Sequence, residues 1–261
     1  MTSSDTGIRV AKQPGGDRLA VRVVVPAILI AIAGVGWWWS ARVAAGMADG
    51  GMDGMAAMPM SLGAFAIAWA AMTAAMMLPA ILPVVKLYAR AAARRTVAPL
   101  PFFVGGYLAL WTVLAVPAYF AWRPLEMAVA DGRPWAGRVA GITLVVAALW
   151  QVSPLKSACL QHCRSPVGFF LRYSGRLHRP AGAVRMGVVH GAFCIGCCWA
   201  LFAVLIATVS MSVLWLVVFT VLIIVEKNYK HGERVALAAA PVLAALGVAL
   251  LISPSLLHTV A

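Results

Sequence analysis

The chain has 261 residues, of which 63% are hydrophobic and only 11% charged. A soluble domain carries about 25% charged residues, so most of this chain must face lipid or another helix. The formal charge of +13 clusters in alternate loops, as the positive-inside rule requires. With no separate basic unit to hold nucleic acid, the composition argues against that partner and for the lipid bilayer, with anionic headgroups along the basic loops.

Residues 1–19 are polar and mixed in charge, with Arg9, Lys12, Asp17 and Arg18, and read as a cytoplasmic tail. Residues 20–261 read as a single transmembrane helical domain. Several apolar runs exceed the ~18 residues that mark a membrane span. Spans are expected at about 20–41, 61–87, 102–122, 139–152, 186–209, 213–227 and 235–257.

The first span ends on Trp37, Trp38 and Trp39, an interfacial anchor. Its apolar run exceeds the ~7–15 residues of a signal-peptide core, so it is kept as a helix of the mature protein. The loop at 43–60 is rich in Gly and Met, carries Asp49 and Asp53, and has no Lys or Arg. The second span leaves through Lys86, Arg90, Arg94 and Arg95, and the third contains Pro117 and opens into a loop with Glu126, Asp131 and Arg133.

The long loop after the fourth span holds Lys156, Arg164, Arg172, Arg176, Arg179 and Arg185. The fifth and sixth spans are joined by Ser210-Met211-Ser212, and the sixth runs into Glu226 and Lys227. The basic segments fall on one side only if all seven helices cross. The expected fold is therefore an all-α polytopic bundle in the bacterial cytoplasmic (inner) membrane, with the N-terminus cytoplasmic and the C-terminus outside. No internal repeat points to an inverted-repeat transporter.

All 5 cysteines lie in two stretches, Cys159-Leu-Gln-His162-Cys163 and Cys194-Ile-Gly-Cys197-Cys198. At ~100° per residue, Cys194 sits about +40° from His190, Cys197 about −20° and Met186 about −40°. These side chains form one stripe of soft ligands on the fifth helix, with Cys198 at its edge. A tight hairpin between the fifth and sixth spans puts Cys194 level with Glu226 and Lys227, and His190 level with Lys230 and His231. A carboxylate at that depth is costly and needs a partner; either Lys230, one turn on, or the thiols would serve.

Thiolates and imidazoles suit Zn²⁺, Cu(I) or iron–sulfur centres, and a reducing compartment disfavours stable disulfides. Against this, a single cysteine usually packs as a small hydrophobe. Two clusters, each with a nearby His, point instead to metal or redox chemistry.

Of the 12 methionines, Met47, Met52, Met55, Met58 and Met60 decorate the loop, and Met72, Met76 and Met77 lie in the second span. Thioether is a soft ligand for Cu(I), although Met also packs irregular helices well. Pro79 and Pro83 free the carbonyls of Ala75 and Pro79, which line a cavity or mark a packing kink. Gly187 and Gly191 form a small-xxx-small pair suited to close helix contact.

Trp69-Ala-Ala-Met72 with Met76-Met77-Leu-Pro79 and Gln151-Val-Ser-Pro154-Leu-Lys156 with Cys159, Cys163, Arg164 and Pro166 make a recognisable set. Gly187 to Gly191, Cys194-Ile-Gly196-Cys197-Cys198-Trp199 and Glu226-Lys227 complete it. Over about residues 60–230 the chain resembles the DUF2182 family of bacterial membrane proteins, described as metal-binding. The resemblance implies a membrane protein that binds metal and implies no reaction.

The leading functional expectation is a membrane protein that binds a soft metal, copper first and zinc second. It would transport the ion or deliver it to a membrane metalloenzyme, with a metallochaperone as a further partner. Cys159, Cys163, His190, Cys194 and Cys197 are the expected inner ligands, with His162 and Cys198 beside them. Met72 and Met76 are expected as relay ligands, and Glu226 as a nearby charge. The alternatives are a membrane thiol–disulfide oxidoreductase using Cys194/Cys197 and Cys159/Cys163, and a structural or assembly subunit of a membrane complex. No nucleotide-binding glycine loop, nucleophile–base pair of workable geometry or soluble catalytic domain is found in the sequence, so ATP-driven transport by this chain alone is not expected; the reading leans away from an enzyme and leaves the oxidoreductase alternative open.

Overall fold

The computed structural model describes residues 23–48, 60–93, 98–165, 168, 178–208 and 213–257. The expected tail at 1–19, the loop residues Met52, Met55 and Met58, and the Ser210–Ser212 turn lie outside the described residues. Among those described, all regular structure is helical and no strand occurs. In chain order the helices are α1 (Val25–Ala48), α2 (Leu62–Ala80), α3 (Leu82–Ala93), α4 (Leu100–Val113) and α5 (Ala115–Ala130). They continue with α6 (Pro134–Gln151), α7 (Pro154–Arg164), α8 (Pro180–Ala207), α9 (Val213–Asn228) and α10 (Gly232–Ile252), closed by a 3₁₀ turn, Pro254–Leu256.

Sequence punctuates these helices where expected physics places the breaks. The second expected span is divided at Ile81, whose N–H reaches back to the Met77 carbonyl, and Pro83 then sits in the first turn of α3, where its missing donor costs nothing. Asn228 of α9 donates to the Ala80 carbonyl at this break over 3.2 Å. The end of α5 is a Schellman closure. Arg133 N–H bonds to Ala128 O at 2.8 Å and Gly132 N–H to Val129 O at 3.0 Å, with Gly132 at φ 65°.

Ser153 caps α7 by accepting from Lys156 N–H at 3.1 Å, and Pro154 takes the first helical position, so α7 leaves α6 at 65°. The loop expected after the fourth span is thus partly helix, and that helix carries Cys159 and Cys163. The loop expected after the third span is also helical. There α5 continues to Ala130 and Arg123 pairs with Glu126 at 3.0 Å.

Among the described residues, 5 helical stretches are long and apolar enough to cross a membrane: Val25–Arg42, Leu62–Ala80, Leu100–Ala130, Pro180–Ala207 and Gly232–Ile252. The bent α6–α7 pair makes a sixth. The sixth expected span, α9, is only 16 residues long, or about 24 Å at ~1.5 Å per residue, against a hydrocarbon core of about 30 Å.

Glycines set the helix separations. A Cβ on Gly141 of α6 would lie 2.8 Å from the Gly247 carbonyl of α10, and one on Gly247 equally close to the Gly141 carbonyl. Gly106 of α4 and Gly187 of α8 likewise press on each other's helix at Val184 and Phe103. This is the close packing expected of Gly187 and Gly191. Outward faces are apolar, as at Val35 (65% exposed), Phe120 (67%) and Leu214 (67%). The interior instead holds Thr73, Gln151, Lys156, His190, Glu226 and Lys227. Within this arrangement α8 is central, more deeply buried than the other long apolar helices described.

Candidate functional site

The site is assembled around α8. Because Gly187 and Gly191 let α4 approach, Tyr107 of α4 reaches Cys194, its Oη 3.0 Å from Sγ. From α9, the Lys227 ammonium donates to the same sulfur at 2.8 Å. From α2, Met77 brings its Sδ to 3.8 Å from Cys194 Sγ and 3.8 Å from Lys227 Nζ. Cys197 and Cys198 turn their S–H groups back to the Cys194 carbonyl at 3.1 and 2.8 Å.

The two cysteine stretches meet. Cys163 Sγ of α7 lies 4.0 Å from Cys197 Sγ of α8. Cys159 packs over Gly196, where an added Cβ would stand 2.8 Å from its sulfur, so the absent side chain makes room for the thiol. All 5 cysteines are free thiols. Sulfur thus runs from Met77 through Cys194 and Cys197 to Cys163, linking α2, α8 and α7.

Glu226 belongs to a different network. It accepts from Gln151 Nε2 at 2.8 Å and pairs with Lys156 Nζ at 2.8 Å, while Lys156 also donates to Gln151 Oε1. The partner expected from sequence was Lys230 or the thiols. Neither is the partner, because adjacent residues on α9 point apart: Lys227 turns to the sulfurs and Glu226 to α6 and α7. The alignment of Cys194 with Lys227 across the hairpin holds as a direct contact.

The remaining expected ligands are placed as follows. His190 is buried with its ring 6.0 Å from those of both Phe103 and Tyr107, one turn from Cys194. Met186 is buried on the same stripe. His162 directs Nδ1 to the Ala158 carbonyl of its own helix at 2.8 Å and stacks on Phe193 at 4.3 Å. Met76 is buried in the core and Met72 half-buried, but the methionine against Cys194 is Met77.

Sequence reasoning also missed Tyr107 and the lysines Lys156 and Lys227 as site residues. Charged residues flanked by apolar or sulfur-bearing segments were the available signal for the two lysines. Nothing local marks Tyr107.

Among the described residues, no group of three or more His, Cys, Asp or Glu is arranged to enclose a metal ion. The site offers pairs of soft sulfurs instead of a cage. Softness selects Cu(I) over hard cations, and paired donors suit an ion held briefly and passed on. At Cys194 and Met77 an ion would have to displace the Lys227 ammonium.

The family described as PpoB2: Copper chaperone matches residues 66–250, well over half of the chain and all of this site. Neither a curated protein nor a solved structure matches the chain.

Proposed function

The chain belongs to that copper-chaperone family, and from this premise we propose that it is a multi-pass membrane protein passing Cu(I) between the sulfurs of its core for delivery to a membrane metalloenzyme. The observation that carries the reading is the convergence of Cys163 and Cys197 at 4.0 Å with Met77 and Cys194 at 3.8 Å. Isolated packing cysteines have no reason to line up in this way across three helices. Copper is the cargo, and Cys159 and Cys163 on α7 are the receiving thiols. Cys197, Cys198 and Cys194 are the buried ones, and Met77 is the thioether beyond them, with His190, Met76 and Met72 along α8 and α2. Glu226 holds α7 in place through Lys156 and is not a ligand. The bacterial inner membrane, with the N-terminus cytoplasmic, is the setting that the alternating basic loops support.

Protein purified from copper-replete cells is expected to carry near-stoichiometric copper. The Cys194→Ser, Cys197→Ser double variant should lose it while unfolding at a similar temperature. Metal-free wild-type protein from such cells would count decisively against the proposal.

The 4.0 Å separation of Cys163 and Cys197 also favours a second reading, a thiol–disulfide pair bridging α7 and α8. Alkylation after mild oxidation separates the two. A redox protein would show this pair protected as a disulfide, whereas a copper carrier would show the thiols protected only when copper is bound.

A further inference from the structure

Soft sulfur does not by itself tell Cu(I) from Zn²⁺, because thiolate suits both ions. The two have the same filled d shell and differ by one unit of charge, so a selective site must read charge. The inner sulfur pair has a fixed charge beside it. Lys227 Nζ stands 2.8 Å from Cys194 Sγ and 3.8 Å from Met77 Sδ, and the two sulfurs are 3.8 Å apart. Two metal–sulfur bonds of about 2.3 Å each reach across such a gap.

The ammonium has little else to offset it. Met77, Cys194 and Tyr107 are fully buried, and Lys227 is 5% exposed. Glu226, the preceding residue, is committed to Lys156 and Gln151. Among the described residues no carboxylate pairs with Lys227. Cys194 supplies at most one negative charge and the Met77 thioether none, while Cys197 and Cys198 turn to the Cys194 carbonyl. A lysine is almost never buried unless it is paired, and here the partner is the sulfur that would hold the cargo.

Resting on the copper reading above, we propose that Lys227 is the charge filter of the Cys194–Met77 pair, admitting a singly charged soft cation and excluding doubly charged ones. Repulsion between the ammonium and a bound ion is proportional to the charge of the ion, and a buried pair is little screened by salt. A monovalent ion meets one unit of this repulsion and is held loosely enough to be passed on. A divalent ion meets twice as much and is turned away. Lys227 thus sets specificity and release without being a ligand itself.

The test uses two isoelectronic pairs, Cu(I) with Zn²⁺ and Ag(I) with Cd²⁺, on purified, reduced full-length protein. Affinities are measured by chelator competition and compared with the Cys194→Ser counterpart of each protein, which subtracts binding at the other cysteines. Wild-type protein should hold Cu(I) and Ag(I) through Cys194, and Zn²⁺ and Cd²⁺ about tenfold or more weakly. Lys227→Gln keeps a donor toward Cys194 and removes the charge. It should bind Ag(I) about tenfold more tightly than wild type and Cd²⁺ about a hundredfold, because doubling the charge of the ion squares the factor. Lys227→Leu, which fills the space with an apolar chain, should show the same order of gains. Equal gains for the two ions, or a loss of Ag(I) affinity, would overturn the filter. So would wild-type protein that binds Cd²⁺ through Cys194 as tightly as Ag(I), a result that needs no variant to fold. If wild-type protein takes up no Cu(I), the copper reading itself fails, and this proposal with it.

Discussion

Among the described residues two lysines are buried, Lys156 and Lys227, and they are satisfied in opposite ways. Lys156 meets a carboxylate, with side-chain exposures of 2% and 3% for Lys156 and Glu226. Removing one member of such a pair leaves a buried charge uncompensated, at a cost of about 3–5 kcal/mol. Lys156→Met should therefore lower the thermal unfolding midpoint in detergent sharply, and adding Glu226→Gln should recover most of the loss. Equal midpoints for the single and double variants would show that the pair is not what holds α7. Lys227 meets sulfur instead, at Cys194 and Met77. Glu226 was legible as a costly carboxylate needing a partner. Its partner was not, because Lys156 lies 70 residues away in sequence and no local pattern pairs residues at that distance.

At the scale of elements, glycine position separates contact from mere composition. A Cβ on Gly187 would meet the Phe103 carbonyl and stand 2.9 Å from Tyr107 N, backbone that cannot move aside cheaply, whereas Gly105 in α4 has nothing within 4 Å. Gly187→Ala should cost about 1–3 kcal/mol through overpacking. Gly105→Ala should be neutral or stabilising by up to about 1 kcal/mol through helix propensity. Thermal unfolding of the two variants side by side reads the difference; similar midpoints would mean that α4 and α8 are not in close contact. Because this contact positions Tyr107 against Cys194, Gly187→Ala should also weaken copper retention. Pro79 and Pro83 marked a kink in the second expected span, which the structure makes a full break at Ile81, while the helix that Ser153 and Pro154 start was expected as loop. The 65° turn of α7 beneath α8 was not legible, since a cap and a proline determine where a helix starts and leave its direction to packing.

For the whole molecule, outward apolar faces around an interior holding Lys156, Lys227, Glu226 and His190 are what a hydrocarbon solvent requires. Five described stretches pass the length and composition test for a span, and a bent sixth joins them. Seven crossings, the number expected from the alternation of basic loops, would require α9 to cross despite its 16 residues. With the N-terminus inside, alkaline phosphatase fused after Ala261 should be active and a fluorescent reporter that requires the cytoplasm should be dark. The opposite pair of signals would mean an even number of crossings.

Sequence alone determined that the chain is helical and apolar, roughly where its long apolar helices lie, and that its soft side chains fall in two clusters. These follow from hydrophobic run length, proline and glycine chemistry, and the ~100° advance of side chains on one helix. Only the tertiary structure decided that the clusters meet, with Cys163 at Cys197, that Met77 rather than Met76 joins them, and that Lys227 takes the sulfurs while Glu226 takes Lys156. Each of those contacts joins different helices. Their rotation and separation are set by glycine-permitted close approach and by the need to pair buried charge, and neither is written in any single segment.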